Sequence, residues 1–121
     1  MTKTILTIDD SRTMRDVLRM ALIDAGFDVM QAVDGVNGLE VLAERRPDVV
    51  ITDINMPKMD GFGFIEAVRR DGQYKNLPIL VLTTESDDAK KARARDAGAT
   101  GWIVKPFDPA KLVAAIKRVA A

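Results

Sequence analysis

Hydrophobic positions along the chain switch repeatedly between two periods. TILTI at 4–8 is a short run of strand formers. Met14, Val17, Leu18, Ala21, Leu22 and Ala25 follow at helical spacing, with Gly26 as a natural stop. DVMQA at 28–32 reads as a weaker strand, and Val36, Leu39, Leu42 and Ala43 mark a second helix that ends before Pro47. VVIT at 49–52 is a wholly apolar strand. Phe64, Ile65 and Val68 place a third helix after the DGFG turn, and PILVLT at 78–83 is another buried strand. Residues 87–97, DDAKKARARDA, favour a helix but offer only alanine inward, with Gly98 to close it. GWIV at 101–104 is the last strand. The segment 108–120 opens with Asp108 as N-cap and Pro109 at the first helical position, then turns Leu112, Ile116 and Val119 inward.

Five β–α units result, with no internal repeat and no linker-like stretch. Continuous apolar strands separated by helices predict a parallel sheet covered on both faces, a doubly wound α/β domain spanning 1–121. In such sheets the binding crevice lies beyond the carboxyl ends of the strands.

The polar residues collect at those ends. Asp9 and Asp10 close the first strand, Asp53 the third, Thr83 and Thr84 the fourth, and Lys105 the fifth. Neighbouring side chains within a strand point to opposite faces, so Asp9 and Asp10 reach one point only where the strand gives way to its turn. If the first and third strands lie side by side, three carboxylates converge. At an effective dielectric of 20, each close pair costs about 4 kcal/mol at about 4 Å. Two compensations are open: a hard divalent cation held by oxygen ligands, for which Mg²⁺ is suited, and the ammonium of Lys105. Either would serve phosphoryl groups, and a carboxylate can act as the nucleophile in phosphoryl transfer.

Composition narrows the chemistry. The chain has 121 residues, no cysteine and no histidine. That removes disulfides, thiolates, the commonest general base and any phosphohistidine on this chain. No apolar run approaches the roughly 20 residues of a membrane span. The first residues turn acidic too early for a secretory signal, so a cytoplasmic monomer is expected. Net charge is zero but uneven: residues 1–85 carry 10 basic and 14 acidic side chains, and residues 86–121 carry 8 and 4. The basic end is either a solvated face or a docking surface for an acidic partner. It lacks the interleaved aromatics of a nucleic-acid interface.

The stretches IDDSRTMR (8–15), DINMPKMDGFGF (53–64), VLTTES (81–86) and GWIVKPFD (101–108) resemble the receiver domains of two-component response regulators, over essentially the whole chain. DSRTMR and NMPKMDG look like the stand-alone chemotaxis members, which have no output domain. The resemblance implies strand order 2-1-3-4-5 with five helices, and Asp53 as the acceptor of a phosphoryl group from a sensor histidine kinase. It implies that Asp10, Asp53 and the main-chain carbonyl of Asn55 bind Mg²⁺, with Asp9 acting through water. It implies that Lys105 and Thr83 contact phosphoryl oxygens, that Lys105–Pro106 is cis, and that Asn55 and Glu85 flank the phosphate and tune its lifetime. The expected output is a switch of the face formed by the fourth helix, fifth strand and fifth helix. That face would meet the flagellar motor switch or another target protein; a phosphate sink or an adaptor is the alternative. The switch ring falls at Trp102, where Tyr or Phe is usual. It either turns inward or packs half-buried at the sheet edge.

Two other classes fit poorly. A flavin binder of similar fold needs a Ser/Thr/Gly-rich phosphate loop where this chain has DDSRTMR. An aspartyl phosphatase commonly needs a second Asp two residues after its nucleophile, and position 55 is Asn. The resemblance implies no turnover of an external substrate, only self-phosphorylation and its reversal.

Overall fold

A computed structural model describes residues 2–120. The elements alternate in chain order: β1 Thr4–Ile8, α1 Arg12–Asp24, β2 Asp28–Ala32, α2 Gly35–Glu44, β3 Val49–Thr52 and α3 Gly61–Arg70. They continue with a 3₁₀ turn at Gly72–Tyr74, β4 Ile79–Thr83, α4 Asp88–Ala97, β5 Gly101–Val104 and α5 Pro109–Ala120. The five strands form one parallel sheet in the order β2-β1-β3-β4-β5.

Residues of β1, β3 and β4 are buried along their whole lengths, as strands covered on both faces must be. One core cluster joins Leu6, Val50, Ile79 and Val81 of the sheet to Leu42, Phe64, Ile65 and Val68 of α2 and α3. The other joins Ile5, Val49, Ile51 and Leu82 to Leu18 and Leu22 of α1 and Leu112 and Ile116 of α5. Each helix start has a capping acceptor. Ser11, Asp34, Asp60 and Asp87 accept from backbone N–H groups of α1 to α4, and Asp108 accepts from Ala110 N–H at 2.9 Å.

Three inward assignments need correction. Val17 and Val36 are 45% and 40% exposed, and Ala43 is exposed as well. The buried stripe of α1 is narrower than the apolar spacing suggests: Leu18 and Leu22 carry it, while Val17 lies one residue, about 100°, round the helix. In α2, Gly35, Gly38 and Leu42 are buried. A side chain at position 38 would meet Ile8 and Phe64, so the helix lies close against the sheet and Val36 is turned out. The 3₁₀ turn was not foreseen; Asp71 caps it by accepting from Gln73 N–H. The expected alanine-only packing of α4 is seen, with Ala94 its fully buried residue.

Candidate functional site

The parallel sheet brings every strand's carboxyl end to one edge, and the acidic groups meet there. Asp9 N–H donates to Ala32 carbonyl on the β2 side, and Asp53 N–H donates to Ile8 carbonyl on β1. These two backbone bonds set Asp9 and Asp53 on adjacent strand ends. Carboxylate oxygens of Asp9, Asp10 and Asp53 all lie within 4.8 Å of one another. Asp9 is buried and Asp10 exposed, as adjacent residues leaving a strand require.

Each carboxylate of the inner pair is held by the backbone on one side and by a cation on the other. Asp9 Oδ1 accepts from Ser11 N–H at 2.9 Å, and Asp53 Oδ1 accepts from Ile54 N–H at 2.6 Å. Lys105 Nζ donates to Asp9 Oδ2 at 2.8 Å and to Asp53 Oδ2 at 2.9 Å. The three side chains are 10%, 3% and 13% exposed respectively. Lys105 reaches them from β5 through its own backbone: its N–H donates to Thr83 carbonyl at 2.8 Å, and the Lys105–Pro106 peptide is cis. Burial pulls the Lys105 pKa down, but hydrogen bonds to Asp53 and Asp9 and their charges outweigh it, and the net direction is up.

The remaining expected residues sit around this triad. Thr83 is fully buried; its Oγ1 accepts from Glu85 N–H at 3.4 Å. Asn55 is exposed and its Nδ2 donates to Glu85 Oε1 at 3.1 Å. Glu85 also pairs with Lys90 at 3.1 Å, and hydrogen bonding by Asn55, then Lys90, lowers its pKa from the ordinary carboxyl value. Trp102 is half-buried, and its Nε1–H donates to Glu85 carbonyl at 3.0 Å. The ring therefore packs at the sheet edge and at the same time ties β5 to the loop before α4. Arg15 was not foreseen: its Nη1 donates to Asp9 carbonyl at 2.7 Å, steadying the acidic turn from α1. An arginine four residues past Ser11, on the N-terminal turns of α1, was the available signal.

The cluster holds three carboxylates and one ammonium, which touches Asp9 and Asp53 but not Asp10, so it keeps room for further positive charge. The donor set is all oxygen, partly open to solvent through Asp10, and the chain contains no His or Cys that would favour a softer metal. These residues fit a hard divalent cation such as Mg²⁺.

Fold and site are those of a family of signalling domains. The chain belongs to the response regulator receiver family: residues 5–117 match the response regulator receiver domain. Receiver domains bind Mg²⁺ at an acidic pocket, are phosphorylated by histidine kinases and act on target proteins. The chain is 42% identical over 107 residues to chemotaxis protein CheY1 of Helicobacter pylori, covering 87% of this chain and 86% of that protein. It is 40% identical over 116 residues to a probable chemotaxis protein CheY of Rhizobium etli, covering 95% and 90%. Among solved structures, the chemotaxis protein CheY4 of Vibrio cholerae matches with a TM-score of 0.93 at 45% identity, covering 98% of this chain and 99% of that one. Other relatives are longer. The chain spans 14% of the sensor histidine kinase CheAY of Helicobacter pylori and 47% of the transcriptional regulator RpaA of a Synechocystis strain. Among the described residues no helix is long and apolar enough to cross a membrane.

Proposed function

We propose that Asp53 is the phosphoacceptor of a chemotaxis response regulator. The observation that supports this most directly is the bridging position of Lys105, 2.9 Å from Asp53 and 2.8 Å from Asp9 at the open end of the sheet. An oxygen of the Asp53 carboxylate attacks the phosphorus of a phosphoimidazole on the donor kinase. The new O–P bond gives an acyl phosphate, and the P–N bond breaks with its electron pair going to nitrogen; the imidazole leaves neutral because its other ring nitrogen carries a proton taken from solvent. Asp9, Asp10 and Asp53, with the Asn55 carbonyl, would hold Mg²⁺, which when bound supplies positive charge to the phosphoryl oxygens. Lys105 releases its hold on Asp53 and follows the charge onto a phosphoryl oxygen. Thr83 Oγ1 donates to another phosphoryl oxygen and leaves Glu85 N–H.

The product adds about −1.5 to −2 of charge at one point. Thr83, Glu85 and Trp102 are linked in series, so movement of Thr83 is passed to the loop before α4 and to β5. The face of α4, β5 and α5 then meets a target protein. The similarity to CheY proteins that the chain covers at 86 and 90% favours a flagellar motor switch as that target.

Incubation with acetyl phosphate and Mg²⁺ tests the acceptor. Wild type should take up one acid-stable, base-labile phosphoryl group, and Asp53→Asn none. Undiminished label in the variant would overturn the assignment. Capture of a motor switch protein by the beryllofluoride-treated chain tests the target. Failure there, with capture of the kinase alone, would favour a phosphate sink.

A further inference from the structure

Helix α4 is held differently from its neighbours. Its sequence DAKKARARDA buries Ala94 alone, whereas α3, of the same length, buries Phe62, Phe64, Ile65 and Val68 besides Gly61. Little apolar area fixes α4 to the sheet, so its placement rests on contacts at its two ends and on one at its middle, where the Arg93 guanidinium lies 4.1 Å from the centroid of the Phe62 ring of α3.

The two ends are unequal. At the C-terminal end, Arg69 of α3 reaches across and donates from Nε and Nη2 to the Gly98 carbonyl, at 3.0 and 2.9 Å. The same guanidinium donates from Nη1 to the Tyr74 carbonyl at 2.7 Å. Gly98 closes the helix at φ +114°, and a Cβ there would lie 2.7 Å from Arg69 Cγ. A cation at this end also complements the helix dipole. At the N-terminal end the contacts are the Asp87 cap and the Lys90–Glu85 pair, both at the surface, where ion pairs hold weakly. Beside α4 an open groove of about 780 Å³ runs the length of the helix, from Ala89 to Ala97, with Arg69 of α3 among its walls. Free space therefore flanks both halves of the helix, and it is the contacts at Gly98 that distinguish its two ends.

We infer that α4 is hinged: Arg69 is a positioning residue that anchors its C-terminal end at Gly98, and rearrangement of the helix is confined to its N-terminal half, beside Glu85. The driving of that rearrangement from Asp53 rests on the proposed function; the anchor does not.

Hydrogen exchange read by mass spectrometry on the whole chain separates the two. Metal-free wild type should exchange faster over 88–92 than over 94–99. Arg69→Gln should raise exchange over 94–99 by about tenfold or more, with the amides of β1 and β3 unchanged, and Arg69→Lys should restore part of it. With Mg²⁺ and beryllofluoride, wild type should change over 86–92 and hold its rate over 94–99, while in Arg69→Gln the change should extend to 99. Unaltered exchange over 94–99 in Arg69→Gln, or an equal rise throughout the sheet, would overturn the anchor. So would a wild type that responds to beryllofluoride as strongly over 94–99 as over 86–92. If neither protein responds to beryllofluoride, the phosphoacceptor reading fails, and the metal-free comparison still decides the anchor.

Discussion

Lys105 Nζ and Asp53 Oδ2 lie 2.9 Å apart, although 52 positions separate the two residues in the chain. They come from β5 and β3, strands separated in the sheet by β4. The lysine reaches past the end of β4 to lie between Asp53 and Asp9, and so holds in place two carboxylates that would otherwise repel.

Removing that cation should cost stability. Lys105→Met leaves Asp9 and Asp53 facing each other in a largely buried site, and metal-free unfolding should show a loss of about 3 kcal/mol. The pH dependence has a definite sign. A folded pKa raised above the ordinary lysine value contributes stability below that value, and the contribution is lost as pH rises through the folded pKa. Wild type should therefore weaken on the alkaline side of the ordinary lysine range, and Lys105→Met should lack that fall. Urea titrations at several pH values measure both.

Asp10 is the exposed member of the acidic cluster, within 4.8 Å of its neighbours and without the lysine contact that the other two have. Asp10→Asn should raise metal-free stability by about 1 kcal/mol, the size of a close pair in solvent. Mg²⁺ at a hundred times its dissociation constant should stabilise wild type by about 2.7 kcal/mol. The variant should gain clearly less at the same concentration. Melting curves in chelator and in Mg²⁺ give both quantities.

Glu85 titrates below the ordinary carboxyl range because Asn55, and then Lys90, hydrogen-bond its charged form. A depressed folded pKa contributes stability above the ordinary value, and that contribution is lost as pH falls through the folded pKa. Asn55→Ala should move the Glu85 midpoint back up, and Lys90→Ala should do so by less. Carboxyl carbon shifts followed by NMR from neutral pH into acid resolve the order.

Gly61 packs under Asp53, the proposed acceptor. A Cβ at this position would strike the Asp53 carbonyl oxygen and lie 2.9 Å from Ile54 Cα, both backbone atoms that a side-chain rotation cannot clear. Gly61→Ala should destabilise the chain by about 1–3 kcal/mol. It should also slow acetyl-phosphate labelling, because the displaced backbone carries Asp53. Gly72→Ala, with open space around the same atom, is the matched control and should label at the wild-type rate.

The architecture was readable because the buried strands are short runs of strand formers, VVIT and ILVLT almost wholly apolar, set between stretches of helical spacing. The convergence of Asp9, Asp10 and Asp53 was readable for a related reason: parallel strands all end at one edge, so residues after different strands become neighbours. Side-chain detail was not. The apolar spacing of Val17 and Val36 is shared by an inner and an outer position on a helix, and only packing decides between them. Neither the bridge from Asn55 to Glu85 nor the bond from Trp102 to the Glu85 carbonyl leaves a trace in local sequence, since each partner is brought in by a different strand end. The place of Arg15 on the first turns of α1 was visible, but its partner was not, because a main-chain oxygen has no sequence signature.

The indole of Trp102 is the chain's single tryptophan, and its N–H is bonded to Glu85 in the loop between β4 and α4, beside the acidic cluster. Indole emission, excited beyond the absorption of Tyr74, therefore comes from one chromophore seated between the acidic cluster and the proposed output face. Its wavelength and quenching report that region in real time, with no dye attached.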